Sequence, residues 1–246
     1  MLAATMSALG VGFALGLKHA LEADHLAAVA VIVGEKRRGI RGSTSIGLSW
    51  GMGHAAALTT VSLAVILLGL RIPGSLALWM EFLVGVALAL LGARMLWRCR
   101  GGAVLHAHAH DHGPRSHFHP HVHSPGVDPE HASHHALPAP ARELAAAAGR
   151  APFLVGLLHG MAGSAALTVI LLTTIPATPA RVGYLAMFGL GSILGMTMMS
   201  VLVGLPFASG RLSGPRPQWV LRILAGSVSL GLGLLFMVVI GPEILL

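Results

Sequence analysis

Gly16-Leu17-Lys18-His19-Ala20-Leu21-Glu22-Ala23-Asp24-His25 places one cation, two carboxylates and two imidazoles inside a run that is otherwise apolar from about Thr5 to Val33. If that run crosses a bilayer, its polar cluster sits close to the midplane. An ionisable side chain there costs roughly 2.5 to 3.5 kcal/mol on insertion scales and marks a functional site by default.

Spacing decides how these groups could cooperate. At about 100° per residue, a regular helix puts His19, Glu22 and His25 in one stripe roughly 120° wide and turns Asp24 away from it. For Asp24 to face the same ion the helix must unwind locally, as discontinuous helices do at midplane sites. Imidazole and carboxylate without thiolate suit a divalent first-row metal such as Ni(II), Co(II) or Zn(II) rather than Cu(I). The plainer alternative is a set of buried groups paired only with one another, Lys18 with Glu22 for instance.

The chain has 246 residues, 54% of them hydrophobic and only 10% charged, which is the composition of an integral membrane protein. The formal charge of +7 is spread between the apolar runs and not pooled, so it is a topology signal and not a nucleic-acid patch. A single cysteine, Cys99, excludes an internal disulfide. The first residues lack a basic n-region, so no cleavage as a signal peptide is expected.

Six apolar runs are long enough to span: Thr5 to Val33, Thr44 to Leu70, Leu76 to Trp97, Pro152 to Ile175, Val182 to Phe207 and Val220 to Ile240. The first is longer than one crossing requires, which tolerates tilt or a break at the polar cluster. Basic residues gather in alternate connections: Lys36, Arg37, Arg38 and Arg41; Arg94, Arg98, Arg100, Arg142 and Arg150; Arg211, Arg216 and Arg222. The other two connections carry only Arg71 and Arg181. The basic loops are therefore expected in the cytoplasm and both termini outside, with Trp79, Trp97 and Trp219 at span ends as interfacial aromatics.

The two halves resemble each other. Gly16-Leu17-Lys18-His19 aligns with Gly156-Leu157-Leu158-His159, and Gly85-x6-Gly92 with Gly226-x6-Gly233, at nearly the same offset. Three spans per half make the second copy inverted, an architecture that places a site between repeats near the midplane. The expected fold is thus an all-α polytopic membrane protein of six transmembrane helices in two inverted three-helix repeats. Residues 1–98 form the first repeat, 99–149 a disordered His-rich cytoplasmic loop and 150–246 the second repeat.

Of 15 histidines, 11 lie in that loop, and the other four are His19, His25, His54 and His159. His54 closes Ser49-Trp50-Gly51-Met52-Gly53-His54, and His159 opens His159-Gly160-Met161-Ala162-Gly163-Ser164-Ala165. A lone membrane histidine often only hydrogen-bonds a neighbouring helix; here the expectation is that all four converge. His106, His108, His110, His112, His117, His119, His121, His123, His131, His134 and His135 alternate with small residues and proline. Such a segment cannot bury a core and is expected to be disordered without metal, serving as a metal buffer or handoff segment or as a plain solvated linker.

His19-x4-Asp24-His25 resembles the signature of the nickel/cobalt transporter (NiCoT-type) superfamily, most closely its short urease-accessory branch. The His54 segment resembles that family's Leu-Gly-His element, and the His159 segment a third. The classical larger permeases are rich in Asp, Thr and Glu at the third; Gly163-Ser164 stand here instead, as in the short branch. The resemblance implies transport of Ni2+ or Co2+ as cargo, with no permanent cofactor, over His19, Glu22, Asp24, His25, His54 and His159. It implies the ion, the lipid bilayer and a cytoplasmic nickel chaperone or urease or hydrogenase maturation protein as partners.

No Gly-x4-Gly-Lys-[Ser/Thr] occurs in the chain, and uptake needs no nucleotide. A dication moving inward gains about 4.6 kcal/mol per 100 mV, twice the single-charge value. The Asp24-His25 form looks like importers, so uptake is the expected direction. Efflux by proton exchange, and a membrane-bound accessory factor that delivers nickel without transport, are the alternatives. An intramembrane metalloenzyme is disfavoured because neither His-Glu-x-x-His nor a nucleophile motif is present.

Overall fold

Backbone amides and carbonyls cannot be left bare in hydrocarbon, so apolar runs of this length become helices. The computed structural model describes residues 2–36, 40–70, 72–100, 104–112, 115–123, 139–162, 175, 177–208 and 215–245. Its helices are α1 (Leu2–His19), α2 (Ala23–Lys36), α3 (Ile40–Leu68), α4 (Gly74–Arg100), α5 (Ala139–Gly160), α6 (Thr178–Ala208) and α7 (Pro215–Leu245). Four stretches are long and apolar enough to cross a membrane, Ile40–Leu68, Gly74–Arg100, Thr178–Pro206 and Arg216–Ile244. The chain is a helical membrane protein.

The run from Thr5 to Val33 is not one regular helix. It stops at His19, turns through residues 20–22 and restarts at Ala23. The turn is closed by Leu21 N–H donating to the Lys18 carbonyl at 2.9 Å and Glu22 N–H to the His19 carbonyl at 3.1 Å. The arrangement of His19, Glu22 and His25 along one helical face is thereby replaced by the unwound alternative. α5 ends in the same way, one residue after His159, with Ala162 N–H donating to the His159 carbonyl at 3.1 Å.

Without water to drive association, helices in lipid pack through small residues that let backbones approach. A methyl group at Gly16 would overlap the Phe188 carbonyl on α6, and one at Gly191 the Phe13 carbonyl on α1. On the other side, a methyl at Gly53 would overlap the Phe153 carbonyl on α5, and one at Gly156 the Trp50 carbonyl on α3. Gly12 meets Tyr184, Gly16 meets Phe188 and Gly195 meets Leu17, while Gly156 meets Trp50 and Gly160 meets His54, so numbers rise together and α1 runs parallel to α6 and α5 parallel to α3. α1 thus lies on α6, and α5 on α3. Between α3 and α6 the contacts run oppositely, Gly204 meeting Ser43 and Gly51 meeting Ile193.

The glycine pairs that align in the sequence also face each other in space. Gly85 and Gly92 on α4 meet Gly233 and Gly226 on antiparallel α7, and Ser229 Oγ donates to the Leu88 carbonyl at 2.9 Å. At one end, α2, α4 and α7 are tied by polar contacts. The Glu35 carboxylate lies 3.4 Å from Arg94 Nε and 3.7 Å from Arg98 Nη1, and Arg222 Nε donates to the Gly34 carbonyl at 3.1 Å. This is the basic end of the bundle.

Past the end of α4, the described backbone within residues 99–149 covers three elements. α5 begins at Ala139, ahead of the apolar run that starts at Pro152. Strands β1 (Val104–His112) and β2 (Arg115–His123) pair antiparallel, with His106 opposite His121, His108 opposite His119 and His110 opposite His117. Alternation of His with small residues has period two, which is a strand pattern, and composition alone does not register it. His131, His134, His135 and Gly163-Ser164 lie outside the described residues.

Candidate metal centre

His19 is the last residue of α1 and His25 the third of α2, so the turn between them brings both imidazoles inward where a continuous helix would separate them by nearly two turns. Their ring centroids are 4.6 Å apart. His54, at the middle of α3, enters between them, with centroids 5.0 Å from His19 and 5.1 Å from His25. His159, from the end of α5, stacks its edge 5.5 Å from His25. All four histidines are buried.

Their nitrogens are not equivalent. His19 Nδ1 is 2.9 Å from Glu22 Oε1, and His25 Nδ1 is 3.0 Å from Asp24 Oδ1. His159 Nδ1 is 3.2 Å from the Val155 carbonyl one turn back on its own helix. Carboxylate and carbonyl oxygens only accept, so Nδ1 carries the proton in each case and Nε2 keeps a lone pair. Among the described residues, His25 Nε2 and His159 Nε2 are buried without a hydrogen-bond partner, and so is His54 Nδ1. His19 Nε2 meets His54 Nε2 at 3.1 Å.

This donor set fits a divalent ion. Two nitrogens each about 2.1 Å from one metal stand about 3.0 to 3.4 Å apart at right-angled or tetrahedral geometry, so His19 and His54 already hold a ligand-pair separation. Ligand atoms of His19, His25 and His54 all lie within 4.8 Å of one another. A buried lone pair without a donor is costly, and a cation would satisfy it. Histidine ligands that donate their second N–H to a carboxylate are the usual outer arrangement around metal-bound imidazole, and Glu22 and Asp24 complete it here.

The six residues named from the sequence therefore divide. His19, His25 and His54 converge, and His159 borders them through His25. Glu22 and Asp24 back the imidazoles; with His25 they also form a second group of oxygens and nitrogen within 4.8 Å, on the less buried side of the turn. Glu22 reaches His19 and not Lys18, whose pairing was the plainer alternative. Two aromatic neighbours escaped the sequence reading. Trp50 lies 5.3 Å from the His159 ring and 6.4 Å from His25, and Phe188 lies 5.6 Å from His19. For Trp50 a signal existed: membrane tryptophans favour the interface, and this one is mid-span.

Over 202 residues the chain is 31% identical to the urease accessory protein UreH of Bacillus sp. (strain TB-90), which covers 82% of this chain and 78% of that protein. The chain belongs to the UreH-like branch of the nickel/cobalt transporter superfamily. The chain is also similar to the Arabidopsis thaliana chloroplast protein FOR GROWTH AND FERTILITY 1, 26% identical over 226 residues, or 91% of this chain and 56% of that one. No protein-family model matches the chain, and no solved structure does.

Proposed function

We propose that this protein carries Ni2+, and Co2+ by the same chemistry, across the bilayer into the cytoplasm. The observation that supports this most is the buried trio His19, His25 and His54 with nitrogens within 4.8 Å of one another at a helix break. The ion sheds water onto Nε2 of His19 and His25 and a nitrogen of His54, with His159 adjoining. Glu22 and Asp24 hold the two imidazoles from behind and supply two negative charges against the dication, which offsets the cost of a bare charge in a low dielectric.

In this reading α1 with α2 makes one crossing and the chain from α5 onward another, giving six spans in two inverted halves. Reciprocal packing of α1 on α6 and α5 on α3 supports it, as do the facing glycines of α4 and α7. The basic end faces the cytoplasm by the positive-inside rule, so both termini lie outside. Inward movement down the membrane potential then needs no nucleotide; outward movement would require exchange for protons.

The His-rich segment 99–149 is a cytoplasmic metal buffer, a reading supported by its 11 histidines. It would pass nickel to a chaperone or to urease or hydrogenase maturation proteins, a role consistent with a relative that is named a urease accessory protein. Radiolabelled nickel uptake into proteoliposomes tests transport against delivery without transport. Wild type accumulates nickel, and His19→Ala and His25→Ala do not. Equal accumulation in all three, or none in wild type, would contradict the proposal.

A further inference from the structure

Trp50 is fully buried, and its indole Nε1 has no hydrogen-bond partner among the described residues. Indole N–H only donates, so it cannot ligate a cation, and leaving it unpaired away from water is costly. It stands one helical turn, about 6 Å, from His54 toward the basic end of α3. On one side its ring faces His159 and His25, and on the other it joins an apolar cluster that includes Ala27, Ala28, Ile32, Ile46 and Met196. Among the described residues it is the largest fully buried side chain.

The pocket that holds the indole is tailored. A methyl group at Gly156 on α5 would come 3.0 Å from Trp50 Cδ1, so glycine there leaves the ring room against the helix. Phe188, 5.6 Å from the His19 ring, belongs to a second apolar cluster with Leu58 and Leu185. Among the described residues, the indole therefore lies on the basic side of the imidazoles and Phe188 on the other, while Glu22 beside His19 is half exposed.

We propose that Trp50 is the gate on the basic side of the imidazole cluster: its indole plugs the route and swings away to release the ion. The proposal rests on the transport reading above. The unpaired N–H gives the swing a direction, because a conformer in which it meets water or an acceptor recovers the hydrogen bond that the plugged state lacks.

Trp79, Trp97 and Trp219 are exposed, so the full-length triple variant Trp79→Phe, Trp97→Phe, Trp219→Phe leaves Trp50 as the single reporter in proteoliposomes. Added Ni2+ is expected to quench its emission, and His25→Ala to remove that quenching. Acrylamide is expected to reach Trp50 poorly without ion and several-fold better during turnover. Separately, Trp50→Ala is expected to bind Ni2+ as wild type does but to speed nickel exchange across the vesicle several-fold, with Trp50→Phe intermediate and secure against misfolding.

Quenching by Ni2+ with measurable flux but no change in acrylamide access would overturn the gate and leave the transport site standing. Exchange by folded Trp50→Phe and Trp50→Ala at the wild-type rate would do the same. Absence of both quenching and flux would overturn the transport reading, and the gate with it.

Discussion

Replacing Asp24 by Asn separates a carboxylate that binds the ion from one that positions its ligand. Asp24 Oδ1 accepts from His25 Nδ1 at 3.0 Å, which leaves His25 Nε2 free to face the cluster. Asn keeps the shape and can still accept that N–H, so the tautomer survives; the charge and the strength it lends the hydrogen bond do not. Loss of such an outer partner costs about 10- to 100-fold in metal affinity, or roughly 1.4 to 2.7 kcal/mol. His25→Ala removes the ligand itself and should leave no measurable binding at this site. Calorimetric titration with Ni2+ of purified protein lacking residues 103–136 isolates the membrane site from the His-rich segment. Wild-type affinity in Asp24→Asn would show that the carboxylate is idle, and a loss as complete as in His25→Ala would show that it is a direct ligand. Either result would refute the positioning role.

Gly16→Val should destabilise by about 3 kcal/mol, at the upper end for overpacking, because even its Cβ overlaps the Phe188 carbonyl; a lowered melting temperature in detergent checks this. Arg94→Ala should change stability by less than about 1 kcal/mol, since the side chain is 56% exposed and Arg98 also faces Glu35; the same melting assay would expose a larger role. In the full-length protein, His108→Ala with His119→Ala removes one cross-strand pair, whereas His108→Ala with His117→Ala breaks two. Equilibrium dialysis should show a loss of one nickel equivalent in the first variant and two in the second; equal losses would mean that the strand register does not organise binding.

Much of the site could be read from the sequence because the penalty for polar groups in hydrocarbon leaves few of them there. His19, His25, His54 and His159 are all the histidines outside one segment, and the structure brings the first three together with the fourth alongside. The glycine pairs of the third and sixth runs were legible for a related reason: close helix approach in lipid needs small residues, and Gly85, Gly92, Gly226 and Gly233 meet across α4 and α7.

What could not be read was set by local geometry. Helical periodicity assigns Glu22 to the histidine stripe and Asp24 to another face, but a three-residue turn reassigns both to the backs of neighbouring imidazoles. Composition counts the histidines of residues 99–149 without giving the register in which β1 and β2 pair. Trp50 was visible as a residue, yet its position beside the cluster depends on Gly156 of the other half, which no local pattern connects to it.

The most direct test of the imidazole site is the X-ray absorption fine structure of one equivalent of Ni2+ bound to the protein without residues 103–136. The account predicts a first shell containing at least three nitrogens at about 2.0 to 2.1 Å, with the outer scattering of imidazole rings, lost in His19→Ala and His25→Ala. A first shell of oxygens alone, or a spectrum unaltered by those substitutions, would contradict it.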